Sequence, residues 1–225
     1  MESRESILKT IEKARLLGLS KQYQTACSHS CELLSTADET ILLIPNNVRE
    51  INEYGTEKLN VPLDKVHNCI TIIGGGKLKS LYSLLSGCDA ISIDLRFLDI
   101  STVKNMENTF FHCKAHAIYF GDWNTDTVCS MKGMFRGCYT KELLLNNFTS
   151  KSLLNTSYMF YKCKCNKIEL KSKEFEITNQ TISTSMFDNI GGYDRDTIEL
   201  IASDNIIRDK FVNRKNESAV ELVTQ

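Results

Sequence analysis

Two prolines, one tryptophan and a net charge of -1 over 225 residues leave this sequence with few functional signposts. Its 27 basic and 28 acidic side chains cancel, so the chain as a whole has no pull toward nucleic acid or acidic lipid. No apolar run approaches the length that spans a bilayer. The opening MESRESILKTIEKARLLG carries charges through its apolar part, so no signal-peptide core is visible, and the expected setting is cytoplasmic with no membrane partner. Cys-x-x-Cys pairs are missing, which argues against a structural metal site among the nine cysteines. Gly74-Gly75-Gly76 is followed by Lys77-Leu78 rather than Lys-Ser/Thr, so a tight turn is expected there instead of a phosphate loop. His112 and His116 flank Cys113, but no Asp or Asn is placed to orient either ring. The expectation is a protein with no catalytic residue, no metal and no cofactor.

What the sequence does have is a period. Cys88, Cys113, Cys138 and Cys163 fall 25 residues apart three times in succession. Leu85, Phe110, Phe135 and Phe160 stand three before them, Ile93, Ile118, Leu143 and Ile168 five after, and Leu95, Phe120, Leu145 and Leu170 seven after. Val and Leu recur ten before (Leu78, Val103, Val128, Leu153), and Leu81, Met106, Met131 and Thr156 seven before. Self-similarity at such a spacing means stacked units, because one unit cannot bury its apolar face alone. Each unit offers a short alternating strand (ISIDL, AIYF, ELLL, KIEL) and a helical or 3₁₀ turn holding the Met/Phe/Cys set. The expected fold is an α/β repeat solenoid, a leucine-rich-repeat-like stack of about six or seven coils.

Three regions follow. Residues 1–38 read as a helical hairpin cap, with Ile7, Ile11 and Ala14 on one face and, after Ser20, Tyr23, Cys27, Cys31 and Leu34 on another. Residues 39–202 hold the coils, beginning with TILLIPNNVREINEYG and the strand before Gly74, and ending in a looser unit where Ile190 takes the cysteine slot and TIELIA returns the strand three residues late. Residues 203–225 form a polar tail expected to cap the far end. The cysteine column reads as packed, reduced thiols behaving as small buried hydrophobes.

The units FLDISTVKNMENTFFHC and WNTDTVCSMKGMFRGC resemble the bacterial BspA-type leucine-rich repeat, with Ile93-Asp94-Leu95, Leu98, Val103, Met106, Phe110 and Cys113 filling its slots in one coil. Trp123, Val128, Met131, Met134, Phe135 and Cys138 fill them in the next, and LIPNNVREINEYG is similar to the shorter Ile-Pro-x-x-Val variant. The resemblance implies a non-catalytic macromolecule-binding surface, displayed in that family mostly by secreted or lipid-anchored proteins.

Alternation along the strands turns Ser92, Ala117, Glu142 and Lys167, then Asp94, Tyr119, Leu144 and Glu169, to the open face. Tyr119 beside Leu144, rimmed by Asp94, Glu142, Lys167 and Glu169, has the make-up of an interface hot spot. The expected function is an intracellular protein-binding module that occupies a partner protein's surface, a mode that suits an inhibitor of a host defence protein carried by a phage or mobile element. Two rivals stand beside it. One is a BspA-type surface adhesin. The other is a nucleic-acid binder using the basic face between Lys151 and Lys173, with Lys162, Lys164, Lys171 and Lys173 its exposed members. Against the second, that stretch has no arginine, and its aromatics Tyr158, Phe160 and Tyr161 fall in the core-turn register.

Overall fold

The structure is a computed structural model and describes residues 20–26, 29–35, 39–44, 66–194, 197–215 and 221–224. Within these are ten strands: β1 (Ser20–Ala26), β2 (His29–Ser35), β3 (Glu39–Ile44), β4 (Val66–Gly74), β5 (Asp89–Leu98), β6 (Lys114–Tyr119), β7 (Glu142–Leu144), β8 (Lys167–Leu170), β9 (Thr197–Ala202) and β10 (Glu221–Thr224). One helix, α1 (Asn205–Val212), follows β9. From β3 onward every pairing is parallel, and each strand meets its counterpart in the next coil. Asp89 pairs with Lys114 and Glu142 with Lys167, one 25-residue period apart. The 25-residue period is therefore the rise of a stack.

The turn side carries as much of the hydrogen bonding as the strands. In each coil the N–H groups seven, five, three and one before the cysteine donate to carbonyls of the next coil, as Phe110 to Met134 (2.8 Å), Phe135 to Met159 (2.8 Å) and Phe160 to Met186 (2.9 Å). The alternate N–H groups close turns on the residue three back, as Cys113 to Phe110 and Cys138 to Phe135. The helical or 3₁₀ element expected here is thus a run of successive turns rather than a helix. Two residues per coil hold the left-handed conformation: Ser83, Asn108, Gly133, Tyr158 and Ser185 at φ 50 to 61°, and Gly87, His112, Gly137, Lys162 and Asn189 at φ 52 to 69°. A continuous helix would aim every N–H along its own axis. The left-handed residues turn alternate N–H groups toward the neighbouring coil, a conformation that the glycines at these positions, Gly87, Gly133 and Gly137, adopt without steric cost.

The repeated apolar columns meet in one core. Phe110, Phe135, Phe160 and Phe187 stack in parallel, with ring centroids 5.1, 5.6 and 5.1 Å apart and interplanar angles of 8° or less. Phe120 stands edge-on to Phe110, Phe135 and Phe148, and buried Trp123 donates its indole N–H to the Leu95 carbonyl at 3.1 Å. Cys88, Cys113, Cys138 and Cys163 are fully buried beside the phenylalanine spine.

At the ends the architecture departs from expectation. The first expected helix falls within residues 1–19, and the coil around Pro45 and Val48 within residues 45–65; both lie outside the described residues. The second expected helix, from Ser20, is instead the strands β1 and β2, paired antiparallel from Ser20–Ser35 to Ala26–His29, with β2 antiparallel to β3. An open edge of β3 offers a row of unpaired N–H and C=O groups, and pairing it outweighs a helical stripe that would satisfy only itself. At the other end Ile190 is buried in the cysteine slot as expected, but β9 returns later than the sequence suggests: Ile168 pairs with Leu200, not Ile198. The additional residues form a loop at 191–194. Helix α1, capped by the Asp204 carboxylate accepting the Ile207 N–H at 2.7 Å, buries Ile207 and Phe211, and Phe211 meets Phe187 edge-on at 5.3 Å. β10 then adds parallel to β9. Among the described residues no helix is long and apolar enough to cross a membrane.

Candidate functional site

The strand register lines up one outward column across the coils. Thr71 pairs with Asp94 and Asp94 with Tyr119; Leu144 pairs with Glu169 and Glu169 with Ile201. Tyr119 (51% exposed) and Leu144 (45% exposed) occupy its middle. Between them the strand ladder lapses: β6 closes the six-stranded sheet β1 to β6, and β7 opens the four-stranded one. A bond from the Lys141 N–H to the His116 carbonyl (3.2 Å) and the unbroken turn-side ladder carry the stack across this point.

The charged members of the face behave differently from one another. Glu142 is exposed and Lys167 half-buried. Asp94 (9% exposed) is clamped by Arg96, whose Nε and Nη2 reach Oδ1 and Oδ2 at 3.0 and 2.7 Å, and whose own N–H donates to Oδ1 at 3.0 Å. Glu169 (5% exposed) lies beneath two lysines, with Lys167 Nζ at 2.9 Å and Lys171 Nζ also in ion-pair contact. Both carboxylates were expected on the open face for a partner, and both are instead saturated from within the chain. Alternation sends a side chain outward, but a long lysine from the same strand can then fold over it. Burial opposes ionisation of Glu169, yet the hydrogen bonds from Lys171 and Lys167 prevail and hold its carboxyl below the usual range. Glu169→Gln should cost about 1–2 kcal/mol near neutral pH, because both ammonium groups lose their anion and the more exposed Lys171 pair is screened by water. A lowered carboxylate contributes stability above an unfolded pKa of about 4.3 and loses it as pH falls, so the gap between wild type and variant should close in urea titrations near pH 3.

The basic face is not one face. Lys151 pairs with Asp126 at 3.0 Å, and Lys171 is spent on Glu169. Lys173 lines a shallow cleft with Asp126, Glu174 and Glu176, where charges of both signs meet. Of the lysines in this stretch named above, only Lys162 and Lys164 are exposed without an ion pair or an acid-lined cleft among the described residues. Tyr158 and Tyr161, expected in the core, are half-exposed on that outer surface, and Phe160 alone points inward. Arg136, one coil earlier, lies 5.5, 5.7 and 5.4 Å from the rings of Phe111, Tyr158 and Tyr161. The Arg96 clamp is local, two residues from Asp94, but the Arg136 cluster is not, so only the 25-residue period could have pointed to the cluster.

Cys113 is fully buried, and His112 and His116 are exposed. His112 sits in a left-handed turn with its ring edge-on to Phe111 at 4.3 Å, while His116 Nδ1 lies 3.3 Å from the Tyr193 hydroxyl. Tyr193, from the 191–194 loop, also packs on Tyr139 at 4.4 Å, and its carbonyl accepts the Tyr139 hydroxyl at 3.1 Å. No thiol–imidazole pair forms here. Hydrogen bonding to Cys113, followed by burial, pushes the Cys88 thiol up; Cys113 and Cys163 are likewise raised, each first by its hydrogen bond to Cys138. Donation to Cys138 from Cys113 and Cys163 acts in the opposite direction, but a fully buried thiolate with no cation beside it is costly, and the column is four neutral thiols. Cys69, Cys88, Cys113, Cys129, Cys138, Cys163 and Cys165 are free, and among the described residues no three His, Cys, Asp or Glu side chains converge as a metal would require.

Residues 79–199 match the family described as Mycoplasma protein of unknown function, DUF285. No curated protein and no solved structure matches the chain.

Proposed function

The chain belongs to the DUF285 family, whose match covers more than half of its length, and on that premise we propose that it is a leucine-rich-repeat solenoid of the BspA type working as a non-enzymatic protein-binding module. Its action is to occupy a partner protein's surface. The observation that supports this reading is the exposure of Tyr119 and Leu144 in the middle of a strand face whose buried carboxylates, Asp94 with Arg96 and Glu169 with Lys167 and Lys171, are already paired within the chain. An aromatic and an aliphatic side chain in such a frame can be covered without leaving either buried carboxylate unpaired, the condition under which central contacts dominate binding. Arg96 lies 5.9 Å from the Tyr119 ring and restrains it, which lowers the entropy lost on docking.

The test starts from a partner isolated from the source cell by affinity purification and identified, with its affinity then measured for purified variants. Tyr119→Ala should weaken that affinity by about 2 kcal/mol, roughly 30-fold, while the melting temperature holds. Unchanged affinity would remove the strand face from consideration. Recovery of nucleic acid that nuclease releases, with Tyr119→Ala without effect, would replace the protein-binding reading by the nucleic-acid one.

A further inference from the structure

The outer surface of the turns carries a second concentration of side chains that the strand face does not use. Arg136 is exposed and touches three rings from the coils on either side, Phe111 from the one before and Tyr158 and Tyr161 from the one after. Lys162 packs 5.4 Å from the Tyr161 ring, and Lys132 and Lys164 are exposed on the same side. No carboxylate among the described residues pairs with any of these four cations. The nearest acids in the repeat register are engaged elsewhere: Glu107 accepts the Ser130 hydroxyl at 2.7 Å, and Asp188 accepts the Lys215 N–H at 2.9 Å. A guanidinium held from several sides by rings is partly desolvated and restrained, while its N–H edge remains free for a planar anion.

We propose that this turn surface, centred on Arg136, is a second binding surface that takes an acidic segment of a partner protein. Charge complementarity selects an anionic partner, and the ring geometry selects carboxylates over a nucleic-acid strand. Reading a single strand requires aromatic faces open to stacked bases, whereas Phe111, Tyr158 and Tyr161 are half-buried and turned toward the guanidinium. A bidentate carboxylate on the free fork, with lysines around it, is the arrangement in which arginine outperforms lysine. The surface stands apart from Tyr119 and Leu144, so failure of either site leaves the other intact.

Fluorescence anisotropy of the full-length protein with a labelled Asp/Glu peptide tests the proposal, with labelled oligothymidylate as the rival probe. The peptide should bind, and more weakly as salt rises. Arg136→Ala and Arg136→Lys should each raise its Kd about tenfold or more, the lysine variant because it keeps the charge and loses the fork. Lys79→Gln, an exposed charge in an earlier coil, should leave it unchanged. If the Arg136 variants fail to fold, Lys162→Gln with Lys164→Gln must still weaken peptide binding at low salt. No peptide binding, peptide binding indifferent to Arg136→Lys, or oligothymidylate binding more tightly than the peptide with the same dependence on Arg136 would each overturn the assignment.

Discussion

Phe135→Ala should lower the unfolding free energy by about 3–5 kcal/mol, enough to threaten a domain of ordinary stability. Phe135 is fully buried, stacked at 5.1 Å on Phe110 and 5.6 Å on Phe160, and met edge-on by Phe120 at 6.0 Å. Removing its ring takes a contact surface from three other phenylalanines. The cavity left behind cannot close, because both neighbouring coils are pinned to this one by backbone bonds at Phe110–Met134 and Phe135–Met159. In a repeat stack each coil relies on its neighbours, so damage at a central coil removes two interfaces at once. Urea unfolding followed by circular dichroism measures the effect; a loss below about 1 kcal/mol would place Phe135 outside the load path of the core.

Alkaline pH should destabilise the protein steeply, beginning near the pKa of an unfolded thiol at about 8.5. Cys88, Cys113 and Cys163 have folded-state pKa values raised above that, each first by a hydrogen bond within the column and further by burial. The unfolded chain then releases protons that the folded chain keeps. Stability is fully present below about pH 8.5 and falls as pH rises, by about 1.4 kcal/mol for each thiol at pH 9.5, or about 4 kcal/mol for the three. Urea midpoints measured between pH 7 and pH 9.5 report this. Cys113→Ala should flatten the alkaline limb by about a third, whatever it costs at pH 7. The same burial predicts that the four column thiols react slowly with a water-soluble thiol reagent until the chain is unfolded. A stability curve flat to pH 9.5 would show that water reaches the column.

The two faces divide the candidate chemistry of the molecule. Strand side chains present Tyr119 and Leu144 beside carboxylates paired within the chain, and the turn side presents Arg136, Lys132, Lys162 and Lys164 with no ion pair among the described residues. A protein partner with an apolar patch and a separate acidic segment could use both, and the resulting linkage would tighten binding without any new contact at either site.

Most of the core was legible in advance, since the columns at Leu78, Leu81, Leu85, Cys88, Ile93 and Leu95 and their equivalents in later coils are all buried. Periodicity reports burial well because every coil repeats the same one-dimensional environment. The candidate site was legible only in part. Tyr119 and Leu144 stand exposed as alternation requires, while Asp94 and Glu169 share their column and are covered. Alternation specifies the direction of a Cα–Cβ bond; it does not say whether a neighbouring Lys167, Lys171 or Arg96 folds across the end of the side chain.

By itself, then, the sequence determined the repeat length, the apolar columns and the stacking of coil on coil, because these follow from a 25-residue period in which no unit can bury itself. Only the tertiary structure decided that Ser20–Ser35 is a strand hairpin, that the turns alternate right- and left-handed residues to bond coil to coil, and that Arg136 gathers rings from two neighbouring coils. Each of these depends on a partner far along the chain: the open edge of β3, the carbonyls of the next coil, or aromatic side chains 22 to 25 residues away. A local pattern cannot carry that information, because the free energy that selects the conformation is gained only when the distant group arrives.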